Sequence, residues 1–249
     1  MSDSEERSAS GIPLLRHREK ERNVEVAEGD EALDAAVTAH LTQHVGEPGE
    51  VWHELVSPSA HIDVHTVPAS ADRPFHLLMT AGMSSRPMKT PPGAEGNEYA
   101  EIVLALPKDW PLTREAFAEE RNYWPMRWLK QLARLPHEFD TWLWYGHTVP
   151  NGDPPRPFAD DTQLCGFILI PPLGAPKGFD AFPHPRGGII RVMQAFPLHR
   201  EEMDLKLAKG TEALVNALDE QGIPFVLDKK RPNAAVRRAS GLFGFLRRS

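Results

Sequence analysis

The sequence predicts an α/β (α+β) domain built on one mixed β-sheet flanked by helices. Phe75–Thr80 and Glu101–Leu106 are short and almost wholly apolar, as strands buried on both faces are. Leu33, Val37 and Leu41, and later Trp128, Leu129, Leu132 and Leu135, recur at the spacing of amphipathic helices. Between 50 and 227 no repeat and no shift in composition marks a linker, so these elements belong to one body.

In chain order, residues 1–28 are rich in charge and poor in large apolar groups apart from Ile12, Leu14 and Leu15. They read as a flexible charged arm. Asp30 is placed to cap a helix over 31–45, with Gly46 at its end. Val51–Val56 and His61–Val67 are strand-like, followed by the two apolar strands. Thr113 opens a short helix through Arg121, and Pro125 suits the first turn of a second one. Strands are expected at Thr141–Tyr145, Gln163–Ile170 and Gly188–Phe196. A last helix runs from Arg200 to Gln221, weakened in its middle by Gly210. Ile223–Leu227 gives a final strand. The domain then spans 29–228, followed by a basic tail, 229–249.

Composition bounds the function. The 249 residues carry a formal charge of −7, which argues against a general affinity for nucleic acid. Cys165 is the single cysteine, so neither an internal disulfide nor a cysteine zinc site is expected. The acidic, polar start lacks the pattern of a secretory signal. No run of some twenty apolar residues calls for an integral membrane segment. A cytoplasmic location is expected. The tail holds Lys229, Lys230, Arg231, Arg237, Arg238, Arg247 and Arg248 without an acid. It reads as disordered, as a basic amphipathic segment making weak peripheral membrane contact, or as folded back on the acidic body.

Chemistry-bearing residues are few. His61, Asp63 and His65 alternate along one strand and share a face. They are the candidate metal ligands, and with them a metal-dependent hydrolase is the alternative function. Same-face residues stand roughly 6.6 Å apart along a strand, which makes three of them a poor tetrahedron; His53 is the candidate fourth ligand. Gly-x-Ser-x-Gly, phosphate-loop and dinucleotide motifs do not occur, and Cys165 lies in an apolar strand where a thiol packs. No catalytic residue and no cofactor is assigned. Glu101, beside an apolar run, reads as buried and paired to Arg73 or Arg86. Three long loops rich in Pro and Gly, Ser84–Asn97, Asn151–Thr162 and Pro171–Arg186, are the places where function is expected. Their candidate partner-binding residues are Ser84, Ser85, Arg86, Lys89 and Asn151, joined by His147 from the aromatic stretch Trp142, Trp144 and Tyr145.

An ordered set of strings narrows the reading. It comprises Glu54-Leu-Val-Ser-Pro, His61-Ile-Asp-Val-His, Arg73-Pro-Phe, Thr80-Ala-Gly-Met-Ser-Ser-Arg-Pro-Met, Ala100-Glu-Ile-Val-Leu-Ala-Leu-Pro and Asp109-Trp-Pro. Trp124-Pro-Met, Trp128-Leu-Lys, Leu135-Pro-His, Trp142-Leu and Gly146-His-Thr-Val-Pro-Asn-Gly follow. From Trp52 to Leu227 this set resembles bacterial, single-domain members of the suppressor of fused family. The resemblance implies a suppressor-of-fused-like domain that binds a protein without catalysis. Animal relatives hold a transcription-factor peptide between two domains, and over the 249 residues given no room for the second is expected. Bacterial relatives are often immunity proteins or antitoxins, so the implied partner is a protein, a toxin among the candidates. The family supplies no catalytic residues.

Overall fold

The computed structural model describes residues 6–17, 29–54 and 60–236. Eight strands form one mixed sheet. They are β1 (Val51–Trp52), β2 (Asp63–Val67), β3 (Phe75–Ala81), β4 (Tyr99–Pro107), β5 (Thr148–Pro150), β6 (Gly166–Ile170), β7 (Ala181–Pro183) and β8 (Ile189–Leu198). The order across the sheet is β1-β2-β3-β4-β8-β6-β5, with β7 also on β8. The first four strands form an antiparallel meander. Among the described residues the one parallel pairing is β4 with β8, in register Glu101 to Val192. β8 pairs with β7 near its start and with β6 near its end.

Helices cover both faces, which is why the central strands are largely apolar. α2 (Glu120–Phe139) lies on the face of Ile62, Val64, Leu78, Ile102, Leu104 and Phe167. α1 (Glu31–His44) covers the other face over Val67, Met79 and Val103. α3 (Arg200–Lys209) and α4 (Thr211–Glu220) flank that same face farther along, with Met203 and Leu214 against Ile168 and Phe196. Asp30 caps α1 as its sequence predicts, accepting the Leu33 N–H at 3.2 Å.

Five expectations are corrected. Gly210, at φ +91°, splits the helix expected over Arg200 to Gln221 into α3 and α4; a non-glycine residue is strained there. The helix expected from Thr113 is only a 3-10 turn at Ala116–Ala118. α2 begins before Pro125, which is therefore interior and offers no N–H to the Arg121 carbonyl; Lys229 Nζ approaches that oxygen at 3.5 Å instead. Thr141–Tyr145 is not a strand, because the edge of β6 is taken by Thr148–Pro150 and the aromatics pack on the α2-side core. Ile223–Leu227 makes only one backbone bond to the sheet, Leu227 N–H to Ala105 O at 2.9 Å. Of the expected strand Val51–Val56, Leu55 and Val56 lie outside the described residues.

Both flanking segments touch the body where they are described. Ser10 N–H donates to Leu207 O at 3.0 Å. Arg231 and Ala234 are buried. Residues 237–249, and with them most of the basic tail, lie outside the described residues.

Candidate functional site

The loop Ser84–Asn97 leaves the end of β3 and is tied down by a buried acid. Glu101 is 0 % exposed on β4. Its Oε1 accepts the N–H of Gly82 (3.0 Å), the N–H of Ser84 (3.0 Å) and the Ser84 hydroxyl (2.6 Å), and its Oε2 accepts the Thr80 hydroxyl at 2.6 Å. The donors are hydroxyls and amides, so the expected pairing with Arg73 or Arg86 is replaced by a cradle built from the turn itself. Gly82 is required here: a Cβ would stand 2.0 Å from the His61 carbonyl oxygen, and φ is +129°. Burial pushes the Glu101 carboxyl above the usual range, and the four donors pull partly against it. We expect Glu101→Ala to cost roughly 2–3 kcal/mol, because buried amides lose their acceptor. Glu101→Gln should cost less, since an amide keeps one oxygen for Gly82 and Ser84. Equal urea midpoints for the two variants would refute this.

Outside the cradle a second layer continues the network. His184 Nε2 donates to the Ser84 carbonyl at 3.0 Å while its Nδ1 accepts the Arg186 N–H at 3.0 Å, which fixes the Nε2–H tautomer. Its ring stacks on Tyr99 at 4.3 Å. The Arg186 guanidinium reaches the Ser85 carbonyl at 3.3 Å and pairs with Asp30, holding the Asp30 carboxyl below the ordinary range. The N-cap of α1, the hairpin after β7 and the loop after β3 are thereby fixed to one another. Ser84, His184 and Glu101 have the residue types of a catalytic triad, but the histidine meets the serine carbonyl and not its hydroxyl. That geometry cannot activate the oxygen. Burial pushes the Cys165 thiol up to about 11, away from the thiolate a nucleophile needs.

The other residues singled out from sequence fall at separate places. Ser84 is buried, Ser85 half-buried, and Arg86 and Lys89 exposed on the anchored loop. His147 stands edge-on to Trp142 at 5.1 Å. Burial first, and then the nearby Lys206 charge, hold its imidazole down at about 4. Asn151 is at the opposite end of the sheet, where its N–H donates to Cys165 O and its side-chain amide to the carbonyls of Arg156 and Pro157. His61 and Asp63 do meet, at 3.0 Å, and His53 joins them at 3.0 Å on the other carboxylate oxygen. His65 instead turns to Asp34 of α1 at 2.7 Å. The three expected ligands do not converge, and the described residues contain no cluster of three or more such side chains able to hold a metal. Asp30, His184 and Arg186, which complete the anchor, carry no sequence signal beyond the helix cap and the Gly187-Gly188 turn.

A family model for the suppressor of fused protein matches residues 58–232. The chain belongs to the suppressor of fused family. Solved structures agree on the fold. A suppressor of fused homologue from Neisseria gonorrhoeae FA 1090 is 14% identical with a TM-score of 0.58, over 84% of this chain and 97% of that one. A chain of the Sufu–Fu complex is 14% identical with a TM-score of 0.57, over 82% and 92%. Drosophila Suppressor of Fused gives 14% and 0.53, over 82% of this chain and 51% of that protein, so the chain spans about half the Drosophila length. Comparison with curated protein sequences finds no match. Among the described residues no helix is long and apolar enough to cross a membrane.

Proposed function

We propose that the chain is a non-catalytic protein-binding domain, acting in the cytoplasm of a bacterium as an immunity protein, an antitoxin or a regulator. Family membership carries this reading, since a chain of similar fold is found in the Sufu–Fu complex. The partner meets the tip of the Ser84–Asn97 loop, where Arg86, Pro87 and Lys89 are exposed above the Glu101 anchor. A loop rigid at its base loses little entropy on binding. The test co-expresses the chain with the product of the gene beside its own, with residues 86–96 intact or replaced by a Gly-Ser linker. Co-purification of the intact chain and its loss in the shortened one are expected. Capture that survives the replacement excludes the loop. An adjacent toxin whose growth arrest the chain relieves identifies the immunity role, and its absence leaves the regulator.

A further inference from the structure

On the α1 side of the sheet, between the end of that helix and Pro172–Pro176, lies a slot of ≈ 40 Å³ walled by Phe75, Leu77, Val103, Ala105, Phe179 and Phe225. A single water needs about 10–15 Å³ by this measure, so the slot has room for the branched end of a Val or Leu side chain. Its rims are fixed to β8 by one buried side chain: Gln194 Oε1 accepts the Leu173 N–H at 2.9 Å, and Gln194 Nε2 donates to Phe225 O at 3.1 Å. Gly174, at φ +68°, lets the loop approach the Phe225 ring, where a Cβ would be 2.8 Å away. Leu173, beside the slot, is 49% exposed.

Arg73 also lines the slot. Its guanidinium stands 5.3 Å from the centre of the Phe75 ring and donates to the carbonyls of Phe75 and Pro68. Its Nε is buried and meets no acceptor. Among the described residues no carboxylate pairs with it; Asp72, next in the chain, is exposed. A half-buried cation without an anion, beside an apolar slot, is complementary to an aliphatic group bearing a carboxylate. We propose that this slot takes a Val- or Leu-sized side chain of an acidic segment of a partner protein, whose carboxylate pairs with Arg73. The proposal rests on the protein-binding reading but concerns a surface distinct from the Ser84–Asn97 loop.

The test needs no partner, so its failure is separable from that of the loop. 4-Methylpentanoate and 3-methylbutylamine share one branched alkyl group and differ in the sign of their charge. Titrated into the ¹⁵N-labelled protein, the carboxylate should shift the amides of Leu173, Gly174 and Phe225, and the amine should leave them in place. Arg73→Ala, or Arg73→Gln if the alanine variant fails to fold, should weaken carboxylate binding about tenfold, as loss of a charge-assisted pair does. Ala175→Trp, which fills the slot, should abolish it. Equal binding of both probes, or no shift at these amides with either, overturns the proposal.

Discussion

Replacing Arg231 by alanine should destabilise the protein by about 3–5 kcal/mol, because it strands a buried carboxylate. Arg231 is 5% exposed and Glu202 fully buried. The guanidinium holds both oxygens of Glu202, at 2.6 Å for the first, and also donates to Pro197 O at 2.8 Å. Glu202 further accepts the N–H groups of His199 and Ala234, each at 2.8 Å. Its carboxyl is accordingly held down at about 2 against an ordinary 4.5: burial opposes the shift, and the bonds to Arg231 and the neighbouring donors overcome it. A depressed acid contributes stability above its unfolded pKa and loses it as pH falls through the folded one. Between pH 4.5 and 2 the wild type should therefore lose roughly 3 kcal/mol from this group, a loss that Arg231→Ala should largely lack. Urea titrations at pH 7 and pH 3 measure both, with about 2 kcal/mol of the loss already present at pH 3. A cost at pH 7 below about 1 kcal/mol would place the pair in water.

Trp124→Ala should cost a similar ~3–5 kcal/mol for a different reason, the cavity left by a large ring. Trp124 is 0% exposed, lies flat on Phe158 with centroids 4.6 Å apart, and meets Trp110 edge-on at 6.3 Å. Trp128, one turn on, touches Phe158 and Phe167, and its alanine variant belongs in the same range. Trp124→Phe should recover most of the loss, because the indole nitrogen meets no protein acceptor and only area is given up. A denaturation midpoint for Trp124→Ala within error of wild type would mean that the α2 face of the sheet is not the core.

The elements legible in the sequence were those whose signal is local. β3, β4 and β8 are largely apolar runs, and α1 has a cap and a stripe within fifteen residues. Trp124 falls outside the stripe that the sequence predicts because Pro125 suits a helix start. The proline sits inside the helix instead, where Lys229, a hundred residues later, approaches the exposed carbonyl. In the sequence Gly210 marks a weak point, but only its positive φ shows that the helix breaks there. The site was less legible. Ser84 stands in a polar loop, and its burial depends on Glu101 from the next strand and His184 from a hairpin a hundred residues away. The alternation of His61, Asp63 and His65 predicts one shared face, yet period alone does not say that Asp34 takes His65 away.

The parallel pairing of β4 with β8 governs how the chain reaches this fold. The meander β1–β4 joins neighbours in sequence and can form early, whereas β8 must return across some ninety residues to lie beside β4. Such a non-local closure raises contact order and slows folding. Until β8 arrives, β4 is an open edge of nine largely apolar residues, a template for pairing with another chain. A nascent chain is exposed in this way until residue 198 has emerged, so a fragment ending before β8 should aggregate even though it contains the entire Ser84–Asn97 loop.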